Sequence, residues 1–164
     1  MDTFDAIKAR ASVREYTAEA VPRKTLESLV DAARRAPSAR SVEPWEFIVI
    51  TDKQVLVEIS RIAPNGKFIE GASAAIVIFS EDTKYYLEDG CAATENMLIA
   101  AADSGLGACW IAGDKKPYDV GVRSLLGVPD KMKLVSIISL GWPKNPIAPH
   151  TKRPLKEVMH WEKF

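Results

Sequence analysis

The sequence predicts a single α/β (α+β) domain over residues 1–164: a central mixed sheet flanked by helices on both faces, with an extended C-terminal tail. Three observations carry this prediction. Uncharged apolar runs at 47–50, 75–79 and 134–140 read as strands covered on both faces. Stretches of helical periodicity separate them. A chain of 164 residues, 47% hydrophobic and 27% charged, can bury one core without disulfides or metal. Two helical patterns precede the first strand, which departs from the strand-first alternation of a doubly wound nucleotide fold.

Phe4, Ile7 and Ala11 recur at helical spacing from residue 3 to 10, and after Pro22 the positions Leu26, Leu29, Val30 and Ala33 share one helical face. Pro37 breaks this second helix, and the turn-rich stretch 38–44 leads into the first strand. Asp52 reads as the N-cap of a short helix carrying Val55, Leu56, Ile59 and Ile62, which the loop Pro64-Asn65-Gly66 stops. The strand 75–79 leads into the longest helical pattern, 85–104, closed by Gly105 and poor in charge after Glu95. Residues 108–111 form a short strand, 119–126 a helix ended by Gly127, and 134–140 a further strand. Beyond Gly141 the tail is stiffened by Pro143, Pro146, Pro149 and Pro154 and ends in Trp161 and Phe164. It is expected to cross onto a second copy, because the helix around 96–102 is too apolar all round to face solvent. A homodimer is the simplest cover.

Twenty-two basic and twenty-two acidic residues give zero formal net charge, which removes any global attraction to nucleic acid or anionic membrane. No apolar run approaches the roughly 18 residues of a membrane span, and the acidic start lacks an apolar leader, so a cytoplasmic location is expected. Cys91 and Cys109 lie in no metal-ligand spacing, so no metal is expected. The dinucleotide, P-loop, hydrolase and zincin signatures are missing, Gly105-Leu106-Gly107 reads as a turn between helix and strand, and neither His150 nor His160 has a nucleophile motif beside it. The informative cluster is Arg10, Ser12 and Arg14. Two guanidinium groups and a hydroxyl within five residues can bind one phosphate, but on their own they read first as a basic helix terminus complementing its dipole. Lys152 and Arg153 form a second basic pair in the tail.

Arg10-x-Ser12-x-Arg14-x-Tyr16, Ala36-Pro37-Ser38-Ala39 through Pro44-Trp45-Glu46-Phe47, the helix around Asp89-Gly90, Gly105-Leu106-Gly107-Ala108-Cys109-Trp110-Ile111 and the ending Arg153-Pro154-Leu155 with His160-Trp161 stand in one order along nearly the whole chain. In that order they resemble the nitroreductase family of flavin enzymes. The resemblance implies FMN at a homodimer interface, with Arg10, Ser12 and Arg14 toward the phosphate and flavin. It also implies Ser38, Ala39 and Ser41 at the flavin edge, Ala112 and Gly113 where a backbone N–H meets the flavin N5, and Lys152 with Arg153 on the phosphate. Lys67 resembles the family lysine near flavin N1 and O2, a role that stands beside that of an exposed loop lysine. The implied activity is hydride transfer from NAD(P)H through the flavin to a small-molecule acceptor such as a nitroaromatic or quinone. Within the same resemblance stand other flavin chemistry, such as dehalogenation or flavin fragmentation, and a non-catalytic flavin-binding dimer. Ser41 and Glu43 depart from the commoner Asn and Gln, Arg40 from a small residue, and Ala112 from an acidic one. The short span from Phe79 to Tyr85 leaves little room for a capping lid.

Overall fold

The computed structural model describes residues 1–148 and 151–164; Pro149 and His150, singled out above in the tail, lie outside the described residues. Five α-helices are present among these residues: α1 (Thr3–Ala9), α2 (Arg23–Ala33), α3 (Lys53–Ile62), α4 (Tyr86–Asp103) and α5 (Asp119–Leu126). With them are four strands, β1 (Trp45–Ile50), β2 (Ala74–Glu81), β3 (Gly107–Ala112) and β4 (Met132–Gly141), in the order β1-β2-β4-β3.

The caps act as the sequence suggests. The Asp52 carboxylate accepts from the N–H groups of Gln54 and Val55 at the start of α3, satisfying donors that have no partner inside the helix. Gly105 and Gly127 follow α4 and α5 with φ of 75° and 67°, a region open to glycine without steric cost. One boundary differs. Pro64-Asn65-Gly66 is not a plain loop but the start of 3₁₀ turns running from Pro64 to Gly71, because proline pre-sets the first helical φ and Ile69, fully buried, anchors the segment to the core.

The four strands pair antiparallel throughout, and among the described residues parallel pairing enters only at a single bridge between Ser12 and Ala108. The mixed character expected of the sheet is therefore confined to its β3 edge. The reason lies in the connections. After β1 the chain goes out along α3 and returns through residues 64–71, re-entering the sheet at the end it left. Only α4 makes a crossover, leaving β2 and β3 parallel to each other with β4 inserted between them.

Alternation along β2 divides the core. Ile76 and Ile78 face Leu29, Met97 and Ala101 of α2 and α4, whereas Val77 and Phe79 face Leu56, Ile59 and Val122 of α3 and α5. Edge strand β1 is less covered than its apolar run implies, with Glu46 and Val49 exposed. Helix α4 finds much of its cover within its own chain, against α1, α2 and the sheet, and Met97, Leu98 and Ala101 are buried there. Its apolar character thus does not by itself call for a second copy. The uncovered apolar surface sits elsewhere. On α1 it is Ala6 that is buried, while Phe4 is 73% and Ile7 48% exposed.

Candidate active site

The site is built on the free edge of β3. After α1 the chain crosses this edge, where the Val13 N–H donates to the Ala108 carbonyl at 2.9 Å and Ser12 bridges Ala108. Tyr16 locks the crossing from within: its hydroxyl donates to the Val13 carbonyl at 2.5 Å and lies 2.7 Å from the Ser139 hydroxyl. Burial pushes the Tyr16 hydroxyl well above the usual tyrosine range, so it stays a neutral donor. Gly107 must be glycine here, since a Cβ would meet Val13 at 2.7 Å.

This crossing strings Arg10, Ser12 and Arg14 along the β3 edge, with Arg10 turned toward α4 and Arg14 toward Phe68 on the other face. Arg10 ends α1 and reaches Glu95 of α4 at 3.9 Å, a loose pairing. Arg14 stacks over the Phe68 ring, 5.6 Å from its centroid. A cleft of about 210 Å³ opens beside it, lined by Arg14, Asn65, Phe68, Trp110, Lys116 and Tyr118 among others, with Ala112 at its rim. A second, of about 300 Å³, holds Ser12 and Arg14 with residues 145–148. Arg14 belongs to both. A larger cavity of about 540 Å³ lies beside β1 at the other edge of the sheet, but its charged groups, Arg23 and Glu27, pair with each other at 2.8 Å. Convergent donors outweigh volume in choosing between them, and they gather at the β3 edge.

Asn65 and Phe68 were not singled out from the sequence; Lys67 was. Lys67 is exposed and does not line the cleft. Asn65 and Phe68 line the cleft together while Lys67 does not, the turns being broken by a kink at Gly66 between them. The cation beside Arg14 is Lys116, from the turn after β3.

The last residues of β3 have a defined hydrogen-bond sense. The Gly113 N–H donates to the Val135 carbonyl at 2.9 Å, so this amide is used within the sheet. One residue earlier, at the antiparallel pair Ala112–Ser136, the backbone groups turn away from β4. Ala112, not Gly113, therefore presents its N–H at the free edge. Close approach fixes Gly113, where a Cβ would lie 2.4 Å from Leu134 Cγ.

Ser38, Ala39 and Ser41 stand apart from these residues, on the loop before β1. The Ala39 N–H donates to Asp89 of α4 at 2.9 Å, and the Glu43 N–H donates to the Ser38 hydroxyl at 3.0 Å. Arg40, Ser41 and Glu43 all have positive φ, 57°, 54° and 51°, a concentration of strained backbone of the kind found at binding sites. Lys152 and Arg153 are exposed, and Arg153 pairs within the tail with Glu157 at 3.7 Å. His160 stacks on Phe164, with centroids 4.4 Å apart. Neither cysteine is activated: burial pushes both thiols up, although Cys91 is only half-buried, and less enclosed than its type suggests.

Tyr86, at the start of α4, donates to the Asp114 carboxylate at 2.5 Å and ties down the turn that follows β3. This bond, more than burial, pushes the Tyr86 hydroxyl up from 10.0 to about 12. A tyrosine harder to ionise folded than unfolded contributes stability that is intact below pH 10 and lost between pH 10 and 12. Denaturant titrations across that window are expected to show a smaller loss of stability in Tyr86→Phe than in the parent; equal losses would place the alkaline sensitivity elsewhere.

Comparison with known proteins identifies the fold. The nitroreductase family pattern matches residues 7–88 and 63–142. The chain is 36% identical over 146 residues, 85% of its length and 84% of the relative's, to an Archaeoglobus fulgidus protein provisionally named NADH dehydrogenase/NAD(P)H nitroreductase. An FMN-dependent nitroreductase from Clostridium difficile superposes with a TM-score of 0.92 at 30% identity, over 98% of this chain and 99% of that one. A provisionally named nitroreductase from Desulfovibrio desulfuricans, solved in complex with FMN, superposes with a TM-score of 0.88 at 27% identity, over 100% and 98%. The fold is that of a flavin oxidoreductase scaffold. The chain belongs to the nitroreductase family.

Proposed function

We propose that the chain is an FMN-dependent oxidoreductase that takes reducing equivalents from NAD(P)H and passes them to a small-molecule acceptor such as a nitroaromatic or quinone, working as a homodimer. One observation carries the reading: Ser12 and Arg14 line clefts at the same sheet edge that ends in the outward Ala112 amide, with Arg10 at the end of α1 just before them. The donor set fits FMN. A phosphate dianion needs several cationic or hydroxyl donors, and an uncharged ring needs backbone hydrogen bonds and apolar cover, which Phe68 and Trp110 provide. Lys152 and Arg153 follow closely on residues 145–148, which line the cleft shared by Ser12 and Arg14, so the tail can bring its cations to the phosphate end.

Ser38, Ala39 and Ser41 do not line either cleft of Arg14. A single flavin touched by both sets of residues therefore calls for two copies of the chain, and the exposed Phe4 and Ile7 of α1 give a second copy apolar surface to cover. When bound, FMN supplies a ring that takes up a hydride and returns two electrons to an acceptor. The chain's own part is to bind and orient. Arg10, Ser12 and Arg14 anchor the anionic end, Ala112 directs a donor at the ring, and Arg14 with Lys116 sets a positive potential beside it that favours an anionic reduced state. No side chain is asked to act as a nucleophile.

One open cleft serving donor and acceptor in turn predicts ping-pong kinetics. The purified protein should be yellow with releasable FMN, and double-reciprocal plots for NAD(P)H and a quinone should give parallel lines. A preparation that neither carries nor takes up FMN would refute the cofactor, and intersecting lines with a detectable ternary complex would refute the shared cleft.

A further inference from the structure

The β3 edge has a second feature, set by the residue that precedes α5. At the Ala112–Ser136 pair both the N–H and the C=O of Ala112 turn away from β4. Three contacts fix this sense: the Gly113 N–H donates to Val135 on the β4 side, the Val13 N–H donates to the Ala108 carbonyl on the free side, and the Tyr118 hydroxyl donates to the Ala112 carbonyl. Ala112 would otherwise offer the cleft a donor and an acceptor side by side. Tyr118, a buried residue of the cleft wall, takes up the acceptor and leaves the N–H.

We infer that Tyr118 is a positioning residue that makes the Ala112 edge donor-only and thereby sets which redox state of the bound flavin the site prefers. The inference rests on the FMN reading above. An edge with a lone N–H favours a ring nitrogen that accepts a hydrogen bond, the condition of flavin N5 when oxidised. An edge whose carbonyl is uncovered also offers lone pairs, which repel an accepting nitrogen and favour a protonated one, the condition of N5 when reduced. Capping the carbonyl thus biases the site toward the oxidised ring, and the positive charge of Arg14 and Lys116 opposes it. The midpoint potential reflects the balance.

The experiment uses the full-length holoprotein as parent, Tyr118→Phe and Tyr86→Phe. The last releases the turn after β3 at Asp114 while leaving the Ala112 carbonyl capped. Dye-equilibrated reductive titration is expected to give Tyr118→Phe a higher midpoint potential, its preference for reduced over oxidised FMN rising by about three- to tenfold, the worth of one ordinary hydrogen bond. Tyr86→Phe should titrate with the parent. As a second readout, the ¹⁵N-labelled Ala112 amide is expected to shift on FMN addition in the parent, and to shift by a different amount in Tyr118→Phe. An unchanged potential in a folded, FMN-bound Tyr118→Phe protein, or an equal rise in Tyr86→Phe, would overturn the inference while leaving the FMN reading in place. A parent that binds no FMN would overturn both. If Tyr118→Phe does not fold, the parent's Ala112 amide decides: no shift with FMN rejects the donor-only edge.

Discussion

Replacement of Arg10 and Arg14 together by alanine is expected to lower FMN affinity by more than about a hundredfold. A charge-assisted hydrogen bond to phosphate contributes roughly 1.5–3 kcal/mol, and each factor of ten in affinity corresponds to about 1.4 kcal/mol, so two such bonds span roughly two to four decades. The two arginines do not contribute equally. Arg10 is already within 3.9 Å of Glu95, so part of its charge is balanced in the unbound chain. Arg14 has only the Phe68 ring as a partner among the described contacts and should account for the larger share. The fold should survive, because both side chains lie outside the two buried clusters and their removal leaves no buried polar group without a partner. Flavin titration of the folded double variant measures the effect, and unchanged affinity would refute the phosphate assignment. Arg14→Lys separates charge from shape: a lysine keeps the charge but loses the planar stack on Phe68, so it should recover only part of the affinity.

How much of this was legible in the sequence depends on which interaction fixes each residue. Local rules reached the caps and the helices, because Asp52, Gly105 and Gly127 act on backbone groups within a few positions of themselves. Periodicity reached the strands, and the family resemblance reached the Arg10–Arg14 segment. The strand pairing was less accessible: nothing in the local pattern of residues 53–73 states that the chain leaves β1 and re-enters the sheet at the same end. Lys67 shows the limit most plainly. A loop lysine beside a Pro-Asn-Gly turn is an attractive cation by type, yet it is Asn65 and Phe68 that line the cleft. Tyr118 and Lys116 had no sequence signal at all. Tyr118 acts through a bond to a backbone carbonyl, which leaves no trace in residue type, and Lys116 enters the cleft only because the turn after β3 folds back toward Arg14.

Truncation of the tail is expected to cost the protein both its dimer and its flavin. The tail has two parts. Its first part stays on its own chain: the Thr17 N–H donates to the Trp142 carbonyl, the Lys144 N–H to the Glu15 carbonyl, and the Asn145 side-chain amide to the Glu15 carboxylate at 2.7 Å. Residues 142–145 therefore take no part in the crossing expected from Gly141 onward. Residues 151–164, by contrast, are exposed throughout, with Leu155 at 67% and Trp161 at 75% although both are large and apolar. An extended, proline-stiffened segment that carries such side chains away from its own core is suited to delivering them to another surface. Burial of each large apolar side chain there contributes roughly 1.5–3 kcal/mol, so Leu155, Val158, Met159, Trp161 and Phe164 together exceed the stability of many domains before ordering costs are counted. In the proposed dimer the same crossing would carry Lys152 and Arg153 to a phosphate held between copies. A chain ending at Ala148 keeps the contacts to Glu15 and loses the exposed residues 151–164, so its fold should remain while its assembly fails. Light scattering at micromolar concentration is expected to report a monomer, and flavin titration a loss of affinity comparable with that of the arginine double variant. A truncated chain that stays dimeric with full affinity for FMN would show that the tail holds neither the partner nor the phosphate. One that stays dimeric but binds flavin weakly would separate the two roles, leaving the dimer to Phe4 and Ile7 of α1 and the phosphate to Lys152 and Arg153.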